Sequence, residues 1–222
     1  MRRITPLALV AMLGVLSALP ARAADTSKSI ALFNGKDLEG WRVFLKPDAK
    51  GKAAPEGVFT VKDGVIECTG KPNGYLITEK EYADYKLEVE WRWPAKAGNS
   101  GVFVHVSGPD KVWPKGVEAQ LYSGYAGDFW LVDGFALTVD EARKDPKSAR
   151  HFFRMKTDGP VEKKVGEWNK YEITCKGDTI ALVVNGVKVN EGTHAAASKG
   201  KILLQSEGSP VQFRNVTLTP LK

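Results

Sequence analysis

The sequence predicts an all-β sandwich, and three observations predict it. From Phe59 onward the chain breaks into short alternating segments, among them FTVKDGVIECTG, DYKLEVEWRWP, GVFVHVSG, KYEITCKGD, TIALVVNGVKV, KILLQSEG and VQFRNVTLTP. Asp63-Gly64 and Asn185-Gly186 stand between apolar runs, where both residues of a tight hairpin turn need positive φ. No helical period survives three turns, and the nearest approach, Val139–Arg154, is highly charged and contains Pro146, so it reads as a long loop or a single helical turn. Many short strands punctuated by turns are the signature of a sandwich.

Residues 1–23 carry a different pattern. Arg2 and Arg3 precede the apolar run Leu7–Leu19, and Ala21-Arg22-Ala23 is a small-x-small cleavage signal. The run is too short to span a bilayer, so the expectation is an exported protein, periplasmic or secreted from a bacterium, whose mature part is one domain over residues 24–222. The formal charge of +6 falls to +3 once the three arginines of that segment are set aside. The remaining basic residues alternate with acids, which argues against a nucleic-acid partner. Membrane insertion after cleavage is not expected. Cys68 and Cys175 lie in separate strand-like segments, VIECTG and YEITCKG. They are either a disulfide suited to an oxidising compartment or two half-buried thiols.

The stretch Gly98–Trp130 carries the chemistry. In Ser100–Val106 strand alternation places Val102, Val104 and Val106 on one side of the pleat and Phe103 and His105 on the other. In Val117–Tyr122, Ala119 and Leu121 point one way while Glu118, Gln120 and Tyr122 point the other. Near the C-terminus Leu203, Gln205 and Glu207 share a face, opposite Ile202, Leu204 and Ser206. His105, Glu118 and Glu207 are therefore the candidate catalytic residues. Gln120, Gln205, Asn99, Tyr122 and Trp130 are candidates for holding substrate. One nitrogen and two carboxylates also form a possible ligand set for a divalent metal ion, and nothing suggests an organic cofactor. Trp113, Tyr122, Tyr125 and Trp130 fall in or beside loops, whereas Trp41, Trp91 and Trp168 are assigned to the core. Glu90 and Arg92 read as an exposed ion pair, and Arg214 and Asn215 as residues that fix the last strand.

Seven blocks taken in order resemble one family: LFNGKDLEGW, FTVKDGVIECTG, GNSGVFVHV, GVEAQLYSG, GEWNKYEITCKGD, VVNGVKVNEG and GKILLQSEGSPVQFRNVTL. Together they resemble the 3-keto-disaccharide hydrolase family, through NSG at Asn99–Gly101, Glu118-x-Gln120 and LQ-x-EG at Leu204–Gly208. The resemblance implies a concanavalin A-like jelly roll of two antiparallel sheets. It further implies an enzyme acting on glycosides oxidised at C3 of the sugar. A ketone at C3 acidifies the C2 proton, and the oxygen on C1 is then β to the carbonyl. Such chemistry asks for a base with a pKa near working pH and an electrophile for the enolate oxygen. In many family members His stands where this chain has Glu207, so the identity of the base does not transfer.

Other readings follow from absences and from the fold. The sequence has no HExxH, P-loop, CxxC or GxSxG motif, and it lacks the ExDxxE carboxylate pattern of laminarinase-like glucanases. Ordinary two-carboxylate glycoside hydrolysis is thereby disfavoured. The alternatives are a lectin-like carbohydrate-binding module, since one fold supports both uses, and an interaction domain of a surface assembly.

Overall fold

The computed structural model describes residues 28–47 and 56–222. The expected export segment lies outside them. Among the described residues two antiparallel sheets form, one of eight strands and one of nine. The eight-stranded sheet runs Val187–Gly192, Thr179–Val184, Asn169–Lys176, Tyr85–Arg92, Val211–Pro220, Val65–Cys68, Phe59–Lys62, with Ile30–Ala31 added along Val211–Pro220. The nine-stranded sheet runs Lys144–Asp145, Ser148–Phe152, Phe129–Val132, Lys115–Gln120, Gly101–Ser107, Lys199–Ser206, Gly74–Thr78, Trp41–Leu45, with Tyr82–Ala83 beside Lys199–Ser206. No helix among the described residues is long and apolar enough to cross a membrane.

The turn chemistry read from the sequence is what the backbone uses. Lys62 pairs with Val65 and Val184 with Val187, leaving Asp63-Gly64 and Asn185-Gly186 as two-residue loops. All four loop residues have positive φ, between 49° and 85°, the requirement of the hairpin turn whose twist matches the strands.

Alternation then divides the side chains. Leu87, Val89, Trp91, Tyr171, Ile173, Val102, Val104, Ala119 and Leu204 meet between the sheets in one large apolar core. Burying a side chain such as Leu87 there stabilises the fold by roughly 1.5–3 kcal/mol. The nine-stranded sheet also has a partly apolar outer face, where Tyr75, Ile77, Phe103, Val106, Val132 and Leu203 form a second cluster. The candidate site occupies the polar part of that outer face. Cys68 and Cys175 are both buried and both free thiols.

Two sequence expectations are corrected here. Val139–Arg154 is neither a loop nor a single helical turn throughout. A short 3-10 turn at Glu141–Arg143 leads into a hairpin of Lys144–Asp145 and Ser148–Phe152. Asp145 Oδ1 accepts the Lys147 N–H at 2.8 Å, so Asp145-Pro146 starts a turn rather than ending an element. Trp130, expected in or beside a loop, lies in the strand Phe129–Val132 directly after the loop of residues 121–128. Trp168 is only partly buried, and the guanidinium groups of Arg92 and Arg214 cover its ring at 4.6 and 4.1 Å. Trp41 and Trp91 are in the core as expected.

Candidate functional site

A transverse row of side chains organises the outer face. Ladder pairing sets Leu203 beside Phe103, Phe103 beside Glu118, Glu118 beside Trp130, and Trp130 beside His151. Such cross-strand neighbours stand about 4.5–5.5 Å apart at Cβ, close enough to act on each other. Glu118 therefore sits mid-sheet, with apolar Phe103 on one flank and the Trp130 indole on the other.

The Asn99-Ser100-Gly101 segment assembles the carboxylates. Asn99 Nδ2 donates to Glu207 Oε2 at 2.7 Å. The Ser100 hydroxyl donates to the Gln205 carbonyl at 2.8 Å, locking this segment to the strand that leads to Glu207. Gly101 has no side chain because Glu118 lies over it: a methyl group there would collide with Glu118 Oε1 and stand 2.8 Å from Glu118 Cγ. The positive φ of Gly208, 78°, turns the chain just after Glu207. The result is a hollow of about 140 Å³ lined by Asn99, Trp113, Glu118, Gln120, Trp130 and, at its rim, Arg150 and Glu207.

The electrostatics of this pair are unusual. Burial, followed by the neighbouring charge of Glu207, holds the Glu118 carboxyl well above the ordinary range, with Arg150 acting in the opposite sense. Burial also pushes Glu207 up to about 7, again against Arg150. The charge of Glu207 is thus one of the influences that disfavour ionisation of Glu118. Glu118 Oε1 and Asn99 Oδ1, on two residues that line the hollow, are buried without a hydrogen-bond partner. Unpaired buried polar atoms are costly, so the hollow is set up to receive polar groups. Gln120 Oε1 accepts the Leu121 and Tyr122 N–H groups, both at 2.9 Å, which turns its amide Nε2 toward the groove.

His105 is not part of this group. The expectation that it shares a face with Phe103 is overturned by a bulge. His105 has φ of 53°, and register shifts occur on both sides of its strand, between Val104 and Ser107 and between Lys201 and Leu203. The extra residue moves Val106 to the outer face and turns His105 inward, where its ring lies 6.4 Å from those of Tyr85 and Phe135. Gly200 makes room for it: a Cβ there would stand 2.5 Å from the His105 carbonyl carbon. Burial pulls the imidazole pKa down to about 4. The ligand set His105, Glu118 and Glu207 is consequently not assembled, and among the described residues no cluster of three His, Cys, Asp or Glu side chains is spaced to hold a metal ion.

The structure supplies a histidine that the sequence did not reveal. His151 Nε2 lies 2.8 Å from Asp128 Oδ2 and Nδ1 lies 2.9 Å from Asp145 Oδ2. A carboxylate at each nitrogen favours the doubly protonated ring. Burial opposes the charge, but Asp128 and then Asp145 outweigh it and raise the pKa. The ring stacks on Trp130 at 4.2 Å with an 8° tilt, and the Arg150 guanidinium stands 4.7 Å from the same indole. Trp130 is thus covered by the His151 ring and the Arg150 guanidinium and has less face free for a sugar than an uncovered tryptophan would. A search for ExxH or similar spacing could not find His151, because its partners come from two separate segments, one with Asp128 and Trp130 and one with Asp145.

Beyond Trp130 the groove widens to a second hollow of about 370 Å³, which shares Asn99, Gln120 and Trp130 with the first and adds Tyr122, Tyr125 and His151. Tyr122 and Tyr125 are each 48% exposed, with ring centroids 5.5 Å apart. Glu90 and Arg92 project from the eight-stranded sheet instead: Glu90 pairs with Arg214 at 2.7 Å and Arg92 donates to Gln212. They play no part in this groove.

A family model described as a 3-keto-alpha-glucoside-1,2-lyase-like domain matches residues 28–219. The chain belongs to this family. Among solved structures, a candidate glycosyl hydrolase from Parabacteroides distasonis is 25% identical over 87% of this chain and 94% of its own, with a TM-score of 0.61. The β-glucanase of Bacillus licheniformis, 13% identical over 89% of this chain and all 100% of its own (TM-score 0.53), shares the fold. So does the carbohydrate-binding module CBM66 of Bacillus subtilis, 13% identical over 81% of this chain and 95% of its own (TM-score 0.51). No curated protein matches the chain in sequence. Membership in this lyase-like family and the jelly-roll architecture make the chain a carbohydrate-active protein.

Proposed function

We propose that this protein is an exported enzyme, periplasmic or secreted, that cleaves the glycosidic bond of 3-keto-glycosides by β-elimination, with water able to add to C1 afterwards. The observation that carries this reading is the convergence of Glu118 and Glu207 in one small hollow, where burial raises both carboxyls above their ordinary range. Glu207, with its pKa near 7, serves as the base that takes the C2 proton. The C2–H electron pair forms the enolate, which collapses to the C1=C2 bond as the C1–O bond breaks. Glu118, buried and protonated, gives its proton to the departing oxygen. The pair begins and ends with one proton, so a single proton transfer between the carboxyls resets the site. The Gln120 amide and the Arg150 guanidinium face the same hollow and stabilise the oxygen of the enolate.

The test is to incubate the purified protein with a 3-keto-glucoside and with the parent glucoside. The expected outcome is release of the aglycone from the keto form alone. Tight binding of both without release would instead make the chain a lectin-like module.

A further inference from the structure

The groove does not end at the acidic pair. The inner hollow of about 140 Å³ opens at Asn99, Gln120 and Trp130 into the second of about 370 Å³. A third hollow of about 490 Å³ shares Tyr125 and Asp128 with the second and lies against Arg154, Met155 and Thr157. A substrate confined to one ring and a small leaving group would use only the first.

Between the inner and outer hollows stands an aromatic shelf. Tyr122 and Tyr125 leave much of their rings in water, 48% each, and stand 5.5 Å apart in the wall of the second hollow. Adjoining exposed aromatics in a groove mark a place where a ligand can lie. The loop that carries them is held in place. Glu162 Oε1 accepts the Gly124 and Ala126 N–H groups at 2.8 and 3.1 Å, and Tyr125 N–H donates to the Tyr122 carbonyl at 2.7 Å. A shelf fixed before binding loses little entropy when a ligand arrives. Its neighbours are polar and oriented, with His151 clamped between Asp128 and Asp145. Apolar ring faces above a fixed polar wall suit a sugar, which has apolar C–H faces and hydroxyl edges.

We infer that the groove takes glycosides whose leaving group is itself a chain of sugars. The 3-keto ring fills the inner hollow, the next ring lies on Tyr122 and Tyr125, and further rings run toward Met155. This inference rests on the reading of the acidic pair given above. Tyr122 and Tyr125 then set substrate length, not chemistry.

The test compares turnover of methyl 3-keto-glucoside with that of 3-keto malto- and cello-oligosaccharides of increasing length, in the wild type and in Tyr122→Ala and Tyr125→Ala. Both tyrosines are exposed, so both variants should fold. Binding of the unoxidised oligosaccharides is followed in parallel by calorimetry. In the wild type kcat/KM should rise about tenfold or more with length, and each variant should reduce that ratio about tenfold. A flat length dependence, or a ratio unchanged in both variants, would overturn the inference while cleavage of the methyl glycoside leaves the proposed function standing. If nothing is cleaved yet calorimetry shows binding that tightens with length and depends on the tyrosines, the shelf stands and the cleavage reading falls. Neither cleavage nor such binding would overturn both.

Discussion

His105 and Glu118 are both buried and both strongly shifted in pKa, and they belong to the two faces of the same sheet. On the inner face His105 lies among Tyr85 and Phe135, alone, with burial pulling it to about 4. On the outer face Glu118 is joined by Glu207, Asn99, Gln120 and Arg150 around an open hollow. Desolvation drives the shift in each case. The difference is company and access. An isolated titratable group sealed in the core reports only what burial costs, whereas two carboxyls that disturb each other beside an opening can exchange protons with a ligand. A perturbed pKa is therefore a poor guide to function until the face of the strand is known.

The comparison is tested most severely at Glu207. Glu207→Gln removes the base and should lower turnover by roughly a hundredfold to ten-thousandfold. The same change should stabilise the fold at neutral and higher pH. A carboxyl whose folded pKa is raised from 4.5 to about 7 favours the folded state only below the unfolded value, and that advantage is lost as pH rises through about 7. Removing it is worth about 1–2 kcal/mol at pH 8, after allowance for partial exposure. Thermal melts and aglycone release on one preparation would show both effects. In the wild type, kcat/KM should climb as pH rises through about 7, then fall at higher pH as Glu118 ionises. A loss of both stability and turnover in Glu207→Gln would make the outer pair a structural network like the inner histidine.

A smaller effect is expected at Gly101. Because a methyl group there would collide with the Glu118 side chain, Gly101→Ala should push that carboxyl out of place while leaving the strand intact. Misplacing a catalytic group by about an ångström can cost up to a hundredfold, so a fall of roughly tenfold to a hundredfold is expected. Gly64→Ala is the control for backbone strain alone, since its φ of 76° is unfavourable for alanine, whereas Gly101 lies in a strand without positive φ, and Gly64 sits in a hairpin turn away from the groove. Equal loss of turnover in both variants would show that Gly101 matters only as backbone.

How much of this was legible in the sequence depends on the regularity of each strand. In Lys115–Gln120 and Lys199–Ser206 the period of two holds near the site, so Glu118, Gln120, Gln205 and Glu207 point where alternation places them. Gly101–Ser107 carries a bulge, and one inserted residue reverses every later side chain, which is why Val106 and His105 exchanged faces. Nothing in GVFVHVS announces the bulge. The sign lies at Gly200, on the neighbouring strand, where the absence of a side chain admits the His105 backbone. His151 was hidden for another reason. Ser148–Phe152 has no clean apolar alternation and follows a proline, and its role depends on Asp128 and Trp130, which reach it only through tertiary pairing.

The smallest effect on activity, and the one that isolates the inner face, is expected at His105. An unfolded histidine takes up a proton as pH falls below 6.5, while the buried ring resists protonation until about 4. The unfolded state therefore binds more protons across that interval, so stability contributed by the neutral ring is complete above 6.5 and is lost as pH falls toward 4. A shift of this size corresponds to roughly 3 kcal/mol between pH 7 and pH 4. His105→Gln cannot titrate, so its stability should decline less than that of the wild type over the same range, whatever the substitution costs at pH 7 through packing. Denaturant unfolding at pH 7, 5.5 and 4 measures the difference in slope directly, free of the other groups that titrate in both proteins. Turnover of the 3-keto substrate at pH 7 should stay at the wild-type level, because the ring faces the core and the reacting bond lies across the sheet. A variant with an unchanged slope and lost turnover would restore His105 to the site, and the division between the two faces would have to be drawn elsewhere.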